Sequence, residues 1–74
     1  MIDMNVDIIE RLDQERAELK FRLDKLLVFL NKQKEEQTVS DYQLDLLYRQ
    51  YVYMQKYMNI LNQRITDLDL ERGL

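Results

Sequence analysis

The chain has 74 residues, of which 34% are charged and 46% hydrophobic, and its formal net charge is −3. It contains no Cys and no His, which excludes disulfides and thiolate metal sites and removes the commonest general base. A chain this short buries little of its own surface, so we expect it to gain stability by oligomerisation.

The first half of the chain predicts one long amphipathic helix, over about residues 5–33. Apolar residues recur there in alternating steps of three and four, the spacing of a single helical seam: Ile9, Leu12, Leu19, Leu23, Leu26 and Leu30. Arg16 is the polar exception in this seam. We expect Arg16 to face the partner helix and to pair with a carboxylate, either a local one from Asp13 or Glu15 or one from the far end of the second helix.

A polar stretch then interrupts the pattern, and we place a turn at about residues 34–40. Ser40 and Gln43 match a capping box that starts a second helix, over about residues 41–70. Its apolar seam is unbroken: Leu44, Leu47, Tyr51, Met54, Met58, Leu61, Ile65 and Leu68. Two long helices joined by a short turn predict an all-α antiparallel hairpin that forms a single domain over residues 1–74.

Both helices also carry apolar side chains outside their seams. These are Phe21, Val28 and Phe29 in the first helix, and Leu46, Tyr48, Val52, Tyr53, Tyr57 and Ile60 in the second. A two-helix hairpin covers only its inward stripes, so these side chains are expected to meet further copies in a homo-oligomeric helical bundle. A dimer, a tetramer and a larger assembly stay open, as do parallel and antiparallel arrangements of the copies.

Charge is divided unevenly along the chain. Residues 1–19 hold six acids and two bases, a net charge of −4, whereas residues 20–34 hold five bases and one acid, a net charge of +4. In an antiparallel hairpin this basic segment lies beside residues 42–57, which hold all five tyrosines. The second helix has no acid from Leu46 to Thr66, so a groove along it would attract anions. The alternative for these cations is an ordinary solvated face with weak i,i+4 pairs.

A small phosphorylated ligand suits this pattern better than duplex DNA, which requires many phosphate contacts and usually a basic protein. One or two arginines meet phosphates, and one or two aromatic rings stack on a base. Tyrosines suit subunit interfaces equally well, and such packing is the alternative for each of them. No apolar run is long enough to span a bilayer, and we expect a cytoplasmic protein without membrane contact.

The residues do not predict an enzyme. Ser40 is the only serine, and without a His to activate it we interpret it as a helix cap rather than as a nucleophile. No carboxylate falls inside an apolar run, and no metal-ligand or phosphate-loop spacing occurs. We therefore expect no catalytic residue, no metal and no cofactor.

Two strings of residues carry a family resemblance. They are Glu15-Arg16-Ala17-Glu18-Leu19, Arg22-Leu23-Asp24-Lys25-Leu26 and Phe29-Leu30 in the first helix, and Leu46-Leu47, Gln50, Met54, Tyr57, Ile60-Leu61 and Arg64-Ile65 in the second. Over about residues 9–66 they resemble a family of small helical-hairpin proteins of crAss-like and many other tailed phages. Small phage proteins of similar build include sponges that sequester cyclic nucleotide or ADP-ribose-derived signals and so evade CBASS and Thoeris defence.

The resemblance implies an oligomeric immune-evasion sponge of the host cytoplasm, which binds a cyclic nucleotide-type signal without cleaving it. The alternative is a non-catalytic oligomer that acts as a protein–protein interaction or scaffold module. The predicted ligand-binding residues at matched positions are the basic and aromatic ones: Arg22, Lys25, Tyr57 and Arg64. The pattern of the second helix itself adds Tyr53 and Lys56.

Overall fold

The computed structural model describes residues 4–72, which form two long α-helices. Helix α1 is Met4–Glu35 and helix α2 is Asp41–Arg72. The helices pack against each other in antiparallel directions and form a rod of 55 × 15 × 14 Å. The predicted all-α two-helix hairpin is confirmed.

The two predicted seams hold the hairpin together. Their largest buried cluster lies in the half of the rod away from the turn and consists of Ile9, Leu12, Leu19, Leu61 and Ile65. Leu61 is fully buried, and nearer the turn Leu30 is only 2% exposed. Full burial of such a side chain stabilises the fold by roughly 1.5–3 kcal/mol, so the seam is the main source of stability.

Arg16 interrupts the α1 seam without being enclosed by it. Its side chain is 40% exposed, Nη2 donates to Oδ1 of Asp13 at 2.7 Å, and Nη1 donates to Oδ1 of Asn62 on α2 at 3.0 Å. The predicted pairing with a local carboxylate is therefore confirmed for Asp13. Glu15, the other local candidate, contacts a different residue of α2.

The start of α2 is capped by Ser40, as predicted. The backbone N–H of Gln43 donates to Oγ of Ser40 at 3.1 Å, and the N–H of Leu44 donates to the carbonyl oxygen of Ser40 at 2.9 Å. The first bond satisfies a backbone donor that the first turn of a helix cannot pair within itself, and the second is the first regular hydrogen bond of α2. The serine therefore has a structural role in this hairpin.

The other side of the turn is held by Gln33, which the sequence pattern did not single out. Gln33 is only 6% exposed, and its Oε1 accepts the backbone N–H groups of Thr38 at 2.7 Å and Val39 at 3.3 Å. Its Nε2 donates to Oγ1 of Thr38 at 2.8 Å. Helix α1 reaches Glu35, two residues past the predicted end, and this buried amide then fastens the loop to its last turns.

Most apolar side chains outside the seams are exposed, including Phe21, Val28, Tyr53 and Ile60. Leu46 is the exception, because it is partly buried. The hairpin alone thus leaves the predicted surplus of apolar surface in contact with solvent. The homo-oligomer that would cover it stays a prediction.

Candidate anion-binding site

The seam divides the surface of the rod into two flanks. The neighbouring residues Glu15 and Arg16 reach α2 on opposite sides, since Glu15 bonds to Tyr57 and Arg16 to Asn62. Each residue turns a helix by about 100°, so Asn62 lies about 140° around α2 from Tyr57. We name the two surfaces the Tyr57 flank and the Arg16 flank.

The Tyr57 flank brings together residues from both helices. The Tyr57 hydroxyl donates a hydrogen bond to Oε1 of Glu15, and the side chains of Arg22 and Arg64 lie close enough for their charges to act on the phenol. The Tyr57 side chain is exposed, so its ring is open to a ligand. We call these four residues the Tyr57 cluster.

Helical spacing explains why these residues meet. Arg64 follows Tyr57 by seven residues and Arg22 follows Glu15 by seven, so each pair lies two turns apart on one face of its helix. Antiparallel packing then sets the two faces side by side, with the Tyr57–Glu15 hydrogen bond as the link between them. The cluster is a product of two regular helices and requires no special loop.

The electrostatics of the cluster keep Tyr57 protonated. The pKa of Tyr57 is raised from its ordinary value of 10.0, chiefly by the hydrogen bond to Glu15 and then by desolvation and the charge of that carboxylate. The charges of Arg64 and Arg22 lower the pKa but do not cancel the rise. With two guanidiniums against one carboxylate, the cluster has a net charge of +1 and suits an anion.

The other predicted ligand-binding residues lie apart from this cluster. Lys25 places its Nζ 4.4 Å from the centroid of the Phe21 ring on α1, and Lys56 places its Nζ 5.6 Å from the centroid of the Tyr53 ring on α2. Both are exposed cation–π pairs within one helix, each worth about 0.5–1 kcal/mol. The structure thus brings Arg22, Tyr57 and Arg64 together and separates the remaining three.

Tyr53 and Lys56 belong to a shallow groove on the outer surface of α2. Its lining includes Tyr48, Val52 and Arg49, and Arg49 forms an ion pair with Asp45 at 2.8 Å. This groove is built from one helix and receives no residue of α1. It is therefore a weaker candidate for a ligand that must be gripped from two sides.

A cleft with a volume of about 670 Å³ lies on the Arg16 flank and was not predicted. Its cations are matched by acids of the same helix, because Arg16 pairs with Asp13 at 2.7 Å and Lys20 pairs with Asp24 at 3.4 Å. Two bases and two acids leave no surplus charge for an anion. We therefore place the candidate site at the positively charged Tyr57 cluster. Arg16, the polar residue in an apolar seam, was the signal in the sequence for this cleft.

Neither a metal site nor a membrane span is found within residues 4–72. No group of three or more His, Cys, Asp and Glu residues in this part of the chain is arranged to hold a metal ion. Neither described helix contains a segment that is apolar enough to cross a membrane.

The fold and the cluster together define a small helical hairpin with a cationic, tyrosine-bearing flank. A family model described as Sequestin matches residues 7–67, which include the turn, the whole Tyr57 cluster and both seams except Leu68. The chain therefore belongs to the Sequestin family. No match was found among curated proteins or among solved structures.

Proposed function

We propose that this protein is a phage immune-evasion sponge, which binds a cyclic nucleotide or ADP-ribose-derived defence signal and sequesters it without cleaving it. The name of its family denotes sequestration, which supports a binding role. A sponge requires a binding site and no chemistry, and the chain has neither His nor Cys. Origin in a crAss-like or other tailed phage and action in the host cytoplasm are parts of this proposal.

The Tyr57 cluster is the observation that carries the proposal. Arg22 and Arg64 present guanidiniums, which can each form two parallel hydrogen bonds with a phosphate. Within the described residues no ion pair joins either guanidinium to a carboxylate. The exposed ring of Tyr57 is close enough to feel both charges and can stack on a base, an interaction worth about 1–3 kcal/mol.

Calorimetry tests this proposal directly. The protein is titrated with a panel of cyclic dinucleotides, cyclic trinucleotides and cyclic ADP-ribose isomers. We expect binding heat for at least one of them, and we expect chromatography to recover that ligand unchanged. An absence of heat for the whole panel would contradict the proposal, as would a cleaved product.

A matched pair of arginine variants locates the site. Arg64→Gln removes one guanidinium of the cluster and is expected to weaken binding about tenfold or more, because a hydrogen bond to a charged group contributes about 1.5–3 kcal/mol. Arg49→Gln removes an exposed guanidinium that is paired with Asp45 on the outer surface of α2, and it is expected to keep the wild-type affinity. Equal losses in both variants would place the ligand elsewhere.

The second candidate function is a self-assembling interaction or scaffold module. The exposed apolar side chains Phe21, Val28 and Ile60 favour it, because they offer docking surface and no charge for a ligand. This function predicts assembly in sedimentation experiments and no heat with any nucleotide. The calorimetric panel therefore separates the two candidates.

A further inference from the structure

One row of charged residues on α1 is complementary to itself. Glu15, Glu18, Arg22 and Lys25 follow one another at steps of three and four, so they lie along one face as two acids followed by two bases. This face belongs to the Tyr57 flank, because Glu15 bonds to Tyr57 and Arg22 acts on it. The order of charges makes the row suited to an identical row that runs in the opposite direction.

A two-fold axis near residue 20 of α1 realises this match. It sets Glu15 opposite Lys25 of the second copy and Glu18 opposite Arg22 of the second copy, and symmetry repeats both pairs. In an isologous contact each favourable pair is formed twice. Rods that run parallel would instead place each of these residues beside a like charge.

The same axis passes close to the tyrosine of the cluster. The contacts of Glu15 with Tyr57 and of Arg16 with Asn62 show that the middle of α1 lies beside the middle of α2. Residue 20 of α1 is thereby level with the stretch of α2 around Tyr57. In such a dimer the Tyr57 residues of the two copies lie at the level of the axis.

The distribution of charge along the whole rod also favours an antiparallel arrangement of the two copies. Residues 20–57, which form the half that contains the turn, hold seven bases and five acids, a net charge of +2. The two remaining segments, 1–19 and 58–74, hold four bases and nine acids, a net charge of −5. Antiparallel rods place each positive half against a negative half, whereas parallel rods place like on like.

The hairpin exposes more area than a compact protein of its mass. The chain exposes 6044 Å², whereas a compact monomer of 9.1 kDa is expected to expose about 4,900 Å². The excess exceeds the roughly 800 Å² that each partner buries in a standard interface. A second copy on one flank therefore fits the amount of surface in excess.

We propose that two copies pack with their rods antiparallel, through their Tyr57 flanks, about a two-fold axis near Tyr57. The second copy contributes its own Tyr57 to a composite site on this axis. The composite site rests on the proposed function, but the interface itself follows from the charges and contacts of the chain without a ligand.

A spin-label distance tests the direction of the rods. Because the chain has no Cys, Glu36→Cys provides one labelling position beside the turn. Antiparallel rods centred near residue 20 place the two labels about 48 Å apart, at a rise of 1.5 Å per residue. Parallel rods place the two turns side by side, about 10–20 Å apart, and a distance in that range would overturn the proposal.

Charge reversal tests the flank. Glu18→Arg replaces two attractive pairs of the dimer with two repulsive ones and is expected to weaken dimerisation about tenfold in sedimentation experiments. Glu18→Arg combined with Arg22→Glu restores the pairs in reversed order and is expected to recover the dimer. The control Asp24→Arg reverses an acid of the Arg16 flank and is expected to leave dimerisation within about twofold.

Two results in these experiments would also overturn the interface. One is a monomer at about 0.1 mM, where an interface of micromolar affinity is saturated, and the other is a double variant that fails to recover. Neither measurement uses a nucleotide. Nucleotide binding without the dimer would refute only this inference, and a dimer without binding to any nucleotide would refute only the proposed function.

Discussion

The two flanks of the hairpin use similar charged residues to opposite effect. On the Arg16 flank each cation is neutralised by an acid three or four residues away on its own helix. On the Tyr57 flank the carboxylate of Glu15 is engaged by a phenol from the other helix, while Arg22 and Arg64 keep their charge available. The cleft of about 670 Å³ therefore lies on the flank whose charges are balanced. Charge balance, rather than cleft size, distinguishes the candidate ligand site.

The largest expected effect comes from the seam that both flanks share. Leu61→Ala removes a fully buried side chain and is expected to lower the free energy of unfolding by about 2–5 kcal/mol in urea denaturation at matched protein concentration. Val52→Ala, an exposed position on the same helix, is the control and is expected to change it by less than about 0.5 kcal/mol. Similar small changes for both variants would show that the seam does not hold the flanks in place.

An intermediate effect is expected from replacing one arginine of each flank with glutamine, in separate variants. Arg22→Gln is expected to weaken nucleotide binding about tenfold, since it removes a charge-assisted contact, whereas Arg16→Gln is expected to stay within about twofold because Asp13 already neutralises that guanidinium. Calorimetry with the nucleotide that binds the wild type measures both, with sedimentation as a check on assembly. A greater loss of nucleotide affinity for Arg16→Gln than for Arg22→Gln would place the site in the cleft on the Arg16 flank.

The smallest effect concerns the ionisation of Tyr57. Because Glu15 raises its pKa, Glu15→Gln is expected to bring the pKa of Tyr57 down towards 10.0, as measured by NMR on ring-labelled tyrosine. Glu18→Gln, which changes an acid that is not a cause of the shift, is the control and should leave the titration unchanged.

The raised pKa of Tyr57 also determines at which pH its hydrogen bond to Glu15 contributes to stability. Since the folded-state pKa is above the ordinary 10.0, the stabilising contribution is fully present below pH 10 and is lost as the pH rises through the folded value. A Tyr57 pKa below 10.0 in the wild type would contradict the hydrogen bond to Glu15.

The fold was predictable because its determinants are local. Apolar steps of three and four define the inward stripe of each helix, and Ser40 with Gln43 marks the start of α2 through a contact three residues long. Gln33 could not be found in this way. Its buried amide acquires a role only once the turn has folded back over the end of α1, and the sequence does not reveal that geometry.

The proximity of three of the predicted ligand-binding residues has a similar local origin. Tyr57 and Arg64 share a face through their spacing of seven residues, and the hairpin adds Arg22 from the facing stretch of α1. Lys25 shares a face with Arg22 but places its Nζ over the Phe21 ring. Tyr53 and Lys56 have equally suitable chemistry, but a shift of one residue turns a side chain by about 100° around its helix. Composition and residue order alone do not show which of these side chains faces the other helix.

The buried amide of Gln33 has a mechanical consequence. It ties the loop to the last turns of α1 through three hydrogen bonds, so the sliding of one helix along the other would have to break them together. A ligand that arrives at the middle of the rod therefore meets a hairpin of fixed internal alignment. Any adjustment to the size of that ligand has to come from rotation of the Tyr57 and arginine side chains or from movement of whole hairpins against one another.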